Sequence, residues 1–453
     1  MNSTLALQEE HWDEVLSMLE LSVETAGFVL AGFSANDRDI SLFGRSIGWV
    51  AEEHYVERTK DSLIIRSQGY WPYFRRAKLD ASVPIFVHTH PRMGAAPSKR
   101  DLRVDEALRT SALTRSGAPY YVSLILGGTR DKPVFTGCIY DESGTATELE
   151  RLRVVGRRVR LLHSQEIGDT EIDAEIFDRQ ILAFGEDGQR VLARLRVGVV
   201  GVGGTGSAVF EQLVRDGVRD IVILDDDVIT GTNVTRIHES GVGDVDVTKV
   251  DVMIAASERI GLGAKVRAKA TRLTPQSVHE LFHLDVIFGC TDDERGRLFL
   301  SKLALSHLIP VFDMAVAVDP LPEGSIRAIT GRVTTLLPGE ACLLCRGRIS
   351  PNGLAAEDLD PEERRRRAGE GYVPGLGETD PSVGTFTSLT GCFAVNELLD
   401  RIFGYSESAA TFRSSELLIL LAGRRLSYNS RPATGPHWCA DPSIYGRGDA
   451  YWP

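Results

Sequence analysis

The stretch "LRVGVVGVGGTGSAVFEQLVRDGVRDIVILDDD", residues 195 to 227, constrains this chain more than any other. An apolar run meets a glycine turn, a helical pattern follows, and a second apolar run ends on three aspartates. This alternation predicts a right-handed βαβ crossover in a doubly wound sheet, with further strands at "DVIFGCT" and "IPVFDMAV". Gly201, Gly203, Gly204 and Gly206 would let a phosphate approach the helix N-terminus, and Asp225 is placed to hold a ribose. Taken alone, such a turn fits any dinucleotide site, and glycine turns also serve tight packing.

The residues that follow narrow the reading. "DDDVITGTNVTRI" places Asn233 and Arg236 beyond the acidic strand end, Lys249 comes next, and "GCTDDERGR" sets Asp292 and Arg297 after another strand. Hydride transfer gives no reason to gather these groups around one nucleotide. Triphosphate chemistry does, because charge must be neutralised as pyrophosphate leaves. From "FDRQILAFGEDGQ" to roughly residue 440 the chain resembles the ThiF/MoeB adenylation domain of ubiquitin-activating enzymes. The resemblance implies that the four glycines, Asp225, Asp227 and Arg297 bind ATP, and that Asn233, Arg236 and Lys249 contact its phosphates. It further implies Mg2+ on Asp292, Arg179 reaching into a partner subunit's site, and a homodimer. Ile237 departs from the pattern, standing where a glutamine usually follows the arginine.

"ACLLCRG" resembles the first half of that family's structural zinc site. The second half is reduced to "GPHWC", so Cys342, Cys345, His437 and Cys439 are the implied Zn2+ ligands, a three-cysteine, one-histidine set that suits the metal. The crossover loop, about residues 350 to 383, contains no cysteine to carry a thioester. Cys290 and Cys392 read as small buried residues, so an acyl-adenylate would be handed to another acceptor, with a hydroxyl carrier such as Thr379 or Ser382 as an unusual option.

The first third holds a different constellation, "VHTHPRMGAAPSKRD". His88 and His90, two apart on a strand, face one side. Ser98 and Asp101 fit a helix capping box, and histidines at a strand end are often simply hydrogen-bonded. Together, however, two nitrogens and one carboxylate leave one position open, which is what a hydrolytic zinc requires. Glu24 in "VETAGFVLAG" offers an upstream carboxylate as general base. H-x-H, seven residues, S-x-x-D and the earlier glutamate resemble the JAMM (JAB/MPN) metalloproteases, which cut ubiquitin-like proteins at C-terminal junctions. The resemblance implies zinc on His88, His90 and Asp101, proton transfer by Glu24, and oxyanion support from Ser98.

The expected organisation is therefore two domains: an α+β JAB/MPN-like metalloprotease domain over 1–148 and a Rossmann-like, doubly wound α/β adenylation domain over 171–453. Residues 149–170, charged and without a strand signal, read as a helical linker. A net charge of -12 argues against nucleic acid as a partner, and the basic run "ERRRRAG" reads as a solvated loop or helix face. No apolar stretch suits a bilayer and the start lacks a secretory signal, so the expected location is the cytoplasm, away from membranes. The joint expectation is a bifunctional enzyme for a ubiquitin-like protein ending in glycine, within a bacterial conjugation pathway, antiphage defence being one setting. A separate conjugating enzyme would then be the partner. The alternative is activation of a sulfur carrier for cofactor or natural-product biosynthesis, with a sulfurtransferase. A non-catalytic scaffold that binds ubiquitin-like proteins is the competing class, and an NAD-dependent oxidoreductase would have no need of Lys249.

Overall fold

Two sheets organise the chain in the computed structural model, which describes residues 2–164, 170–321, 324–360, 363, 381–406, 415–421 and 423–449. Thr379 and most of the expected crossover loop lie outside the described residues. The chain divides into two units: 1–169 with 306–308 and 443–453, and 170–305 with 309–442.

In the first unit the elements run β1 (Asn2–Gln8), α1 (Glu9–Leu19), β2 (Ala26–Ala35), β3 (Asp39–Trp49), β4 (Tyr55–Arg58), β5 (Leu63–Ile65), α2 (Trp71–Leu79) and β6 (Val83–Thr89). They continue with α3 (Lys99–Ser116), β7 (Tyr120–Gly128), β8 (Pro133–Asp141), β9 (Ala146–Glu148), β10 (Arg151–Val155) and β11 (Val159–His163). All but the β4–β5 hairpin join one mixed sheet in the order β11-β10-β1-β3-β2-β6-β7-β8-β9. One face is covered by α1, whose Trp12, Val15, Leu16 and Leu19 recur at helical spacing and are buried against Leu5, Val29 and Val87. Each such side chain contributes roughly 1.5–3 kcal/mol on burial. The other face packs Phe28 and Phe86 against Phe74 of α2 and Leu108 and Ala112 of α3.

The helical linker expected over 149–170 is corrected here. Residues 151–163 form β10 and β11, and β10 pairs in parallel with β1. Arginines hid the strand signal. Arg151 and Arg153 are both buried, and Arg153 donates to the His307 carbonyl at 3.2 Å, so their stems pack as apolar residues would. The boundary expected at residue 453 also moves, since residues 443–449 belong to the first unit, where Gly448 bridges Phe33 in parallel.

The second unit comprises α4 (Asp178–Arg194), β12 (Arg196–Val200), α5 (Gly204–Arg215), β13 (Asp220–Leu224), α6 (Lys249–Ile260), β14 (Lys265–Lys269) and β15 (Val286–Gly289). After these come α7 (Glu294–Ser306), β16 (Val311–Pro320), β17 (Ile326–Leu336), α8 (Pro351–Glu357), α9 (Gly384–Phe403), β18 (Glu416–Leu420) and β19 (Arg425–Asn429). The sheet order is β14-β13-β12-β15-β16-β17-β18-β19, parallel from β14 to β16 and antiparallel beyond. The strand order reverses between β12 and β15. In a doubly wound sheet that switch point opens a crevice at the carboxyl ends of the strands.

Candidate functional site

The second unit's crevice holds a cavity of about 650 Å³. The glycine turn forms its floor: Gly201 has φ +86°, a conformation glycine adopts without strain, and a β-carbon on Gly206 would collide with the Gly201 carbonyl. Asp225, Asn233, Arg236, Lys249, Asp292 and Arg297 line the cavity, so the sequence's candidates converge there. Asp225 is buried, accepting from the Val202 N–H at 2.8 Å and the Asp227 N–H at 2.9 Å. Burial pushes its carboxyl up while Lys249 pulls it back. Arg236 donates to the Thr232 carbonyl at 2.9 Å, and Asn233 Oδ1 accepts from the Thr230 N–H at 2.9 Å, shaping the turn that carries both.

Sequence reasoning missed the groups behind this wall. Arg297 lies 3.3 Å from Asp313, a fully buried carboxylate that also receives Arg332 at 2.6 Å. Arg272 and Thr387 also line the cavity, and Arg272 pairs with Asp226 at 2.8 Å. A buried carboxylate must be paired, but its arginine partners lie 16 and 19 residues away on the preceding helix and the following strand, so no short motif reports them. Arg179 is not among the lining residues and stands with 91% of its side chain exposed on α4. Ile237 is buried.

The cysteines form a second cluster. Cys342 and Cys345 follow β17, His437 and Cys439 follow β19, and the two segments are tied by the Ala341 N–H on the Arg431 carbonyl at 2.8 Å. Cys345 Sγ lies 3.7 Å from Cys439 Sγ, Cys342 Sγ 3.7 Å from His437 Nδ1, and all four donors fall within 4.8 Å of one another. A tetrahedron with zinc–sulfur bonds near 2.3 Å has edges of roughly 3.8 Å, so the donor set fits zinc. Burial and the neighbouring thiols push Cys342 up to about 12, which leaves it protonated until a cation displaces the proton. Burial likewise raises the Cys290 thiol strongly. Cys392 sits on a helix as expected, but exposed rather than buried, because its side of α9 faces outward.

In the first unit β6 carries His88, and His90 follows it. β2 pairs antiparallel with β6, Ala26 opposite His88, and Thr25 and Thr89 exchange hydrogen bonds one step on. That register sets Glu24 against His90, with Oε1 3.8 Å from Nε2. Asp101 arrives from α3 through a full capping box: Ser98 Oγ accepts from the Arg100 and Asp101 N–H groups, and Asp101 Oδ2 accepts from the Ser98 N–H at 2.7 Å. Its carboxylate lies 3.5 Å from His88 Nε2 and 3.6 Å from His90 Nε2, and those two nitrogens are 3.2 Å apart.

His90 Nδ1 lies 3.3 Å from the Gly94 carbonyl, which fixes its proton there and turns the Nε2 lone pair toward Asp101. Lone pairs and a carboxylate converging at these distances fit a divalent cation. Burial pushes Glu24 up to about 6, partly offset by His90. The histidines hold Asp101 well below the usual carboxylate range against the opposing effect of burial. Sequence reasoning missed Asp105, one turn further along α3, which is buried and accepts from the Tyr121 hydroxyl at 2.8 Å. Its i+4 spacing from Asp101 was the available signal. Beside the cluster, Leu63, Ile65, Tyr70, Phe86, Arg100 and Leu108 line an apolar cavity of about 420 Å³ between β5 and α3.

A doubly wound sheet with a charged crevice at its switch point defines a nucleotide-binding class of domain. The sequence profile of the ThiF family matches residues 177–428, more than half of the chain, and the protein belongs to that family. It is similar to the SAMP-activating enzyme E1 of Haloferax volcanii, 26% identical over 251 residues, covering 55% of this chain and 78% of that protein. The tRNA threonylcarbamoyladenosine dehydratase of Bacillus subtilis is 34% identical over 145 residues, 32% of this chain and 57% of that one. The adenylyltransferase and sulfurtransferase UBA4 of Yarrowia lipolytica is 32% identical over 140 residues, 30% of this chain and 35% of that one. Among the described residues no helix is long and apolar enough to cross a membrane.

Proposed function

We propose that the chain activates the C-terminal carboxylate of a ubiquitin-like or sulfur-carrier protein by ATP-dependent adenylation, and that its first unit is a JAMM-type metallopeptidase for the same tails. The observation that carries the first half is the convergence of Lys249, Arg236, Arg297 and Asp292 on one crevice beside the glycine turn, within a ThiF-family domain. There the substrate carboxylate attacks the α-phosphate and pyrophosphate leaves. Arg236, Lys249 and Arg297 offset the charge that develops, Asp225 and Asp227 bind the nucleotide, and Asp292 supplies a ligand for Mg2+. Arg179, exposed on α4, completes the site of a second copy in a homodimer.

The second half rests on the His88, His90, Asp101 and Glu24 geometry. Zinc held by the first three would polarise the scissile carbonyl and acidify water. Glu24 takes the water proton and returns it to the leaving amine, while Ser98, whose oxygen already accepts two N–H groups, keeps its hydroxyl hydrogen for the oxyanion. The adjacent apolar cavity suits a tail that lies extended along β5. At the four-residue cluster, Cys342, Cys345, His437 and Cys439 hold a structural zinc.

The decisive assay is ATP–pyrophosphate exchange with candidate ubiquitin-like proteins ending in glycine. Exchange stimulated by one of them and lost in Asp292→Ala supports the reading, and exchange indifferent to Asp292 overturns it. Because the crossover loop lacks cysteine, a second reading is sulfur transfer from the adenylate. Product mass separates a thiocarboxylate from a conjugate made in a bacterial ubiquitin-like pathway.

A further inference from the structure

We propose that Ser388, with His238 as its base and Glu211 orienting the imidazole, is an acyl-accepting site that takes the acyl group from an acyl-adenylate made in the crevice of the same unit. The inference rests on the adenylation reading for its substrate and on three side chains for its chemistry. His238 Nδ1 lies 2.8 Å from Glu211 Oε2, and His238 Nε2 lies 2.6 Å from Ser388 Oγ. A carboxylate only accepts, so the proton sits on Nδ1 and the Nε2 lone pair faces the hydroxyl.

Three separate elements deliver these groups: Glu211 from α5, His238 from the turn after Arg236, and Ser388 from α9. The His238 N–H donates to Ser207 Oγ at 3.0 Å, anchoring the ring's backbone, and Arg215 holds the other Glu211 oxygen at 2.8 Å. His238 and Ser388 are both partly exposed. The hydroxyl also has the Gly384 carbonyl at 2.6 Å, and a turn about one torsion moves its hydrogen between the two acceptors.

Glu211, His238 and Ser388 do not themselves line the crevice, but two of their neighbours in the chain do. Thr387 and Arg236 line the crevice, and Gly384 packs so closely on Thr235 that a β-carbon would stand 2.9 Å from its carbonyl. In the transfer, Ser388 Oγ attacks the acyl carbon, a carbon–oxygen ester bond forms, and the bond from that carbon to the phosphate oxygen breaks. AMP leaves with the electron pair, and the serine proton passes to His238 Nε2. The thiol of Cys392, one turn further along α9, is a poorer acceptor, because partial desolvation and the Glu211 and Asp216 carboxylates push it toward the protonated form.

The test treats the full chain with a fluorophosphonate and, separately, with acetyl adenylate, mapping adducts by mass spectrometry. Expected is one adduct per chain on Ser388, absent in Ser388→Ala and formed about a hundredfold more slowly in His238→Asn. The acetyl adduct should resist thiols and yield to hydroxylamine, whereas Ser388→Cys should give a thiol-labile one. An unlabelled Ser388 in a protein that still performs pyrophosphate exchange, a rate indifferent to His238→Asn, or acetylation of Cys392 instead overturns the assignment. If Ser388 is labelled but no tail stimulates exchange, the nucleophile stands and the adenylation reading falls.

Discussion

Lys249 Nζ lies 2.6 Å from the Asp227 carboxylate and 3.5 Å from that of Asp225. The lysine is buried in this pair while Asp227 is exposed, so a triphosphate entering the crevice can take the ammonium over from a solvated carboxylate at little cost. Lys249→Ala should lower kcat/KM for pyrophosphate exchange by roughly a hundredfold. Exchange kinetics check this, and an unchanged value would remove the lysine from the phosphate site.

Glu24→Gln keeps the shape of the first unit's cluster but removes the carboxylate proposed as proton acceptor. Cleavage of a ubiquitin-like precursor should fall by about 10²–10⁴-fold with zinc content per chain unchanged. Asp101→Ala should lose both zinc and cleavage. Metal analysis beside a cleavage assay separates the two, and trimming that survives Glu24→Gln would exclude the peptidase mechanism.

Cys439→Ser should release the zinc proposed for the second cluster and uncouple the segment after β17 from the segment after β19. Made in an Asp101→Ala background, which leaves one expected zinc site, it should take zinc per chain toward zero and lower the Tm. Chelation should bring the unmutated cluster to the same Tm. A Tm indifferent to both would mean the four residues hold no structural ion.

Asp216, at the C-terminal end of α5, is pushed up to about 7 by burial. Between about pH 4 and pH 7 the folded protein keeps a proton that the unfolded chain releases. Its contribution to stability is therefore greatest at low pH and is lost as pH rises through about 7. Asp216→Asn should stabilise the protein at pH 8, on the order of 1–4 kcal/mol, and much less at pH 4. Thermal unfolding across that range checks the sign.

What the sequence determined by itself is local. Alternating strand, glycine turn and helix gave the doubly wound sheet, and its switch point then placed Gly201 and Asp292 at one crevice. The S-x-x-D spacing gave both a capping box and the carboxylate it delivers to His88 and His90, because a helix start is built from residues within one turn.

Only the tertiary structure decided what depends on register and on long loops. The β2–β6 pairing set Glu24 beside His90, and β10 took its place beside β1 although its arginines masked the strand. Cys342 met His437, and His238 met Glu211 and Ser388, across separations that no local period encodes. Element type follows from a short window, whereas partner choice follows from packing summed over the whole core.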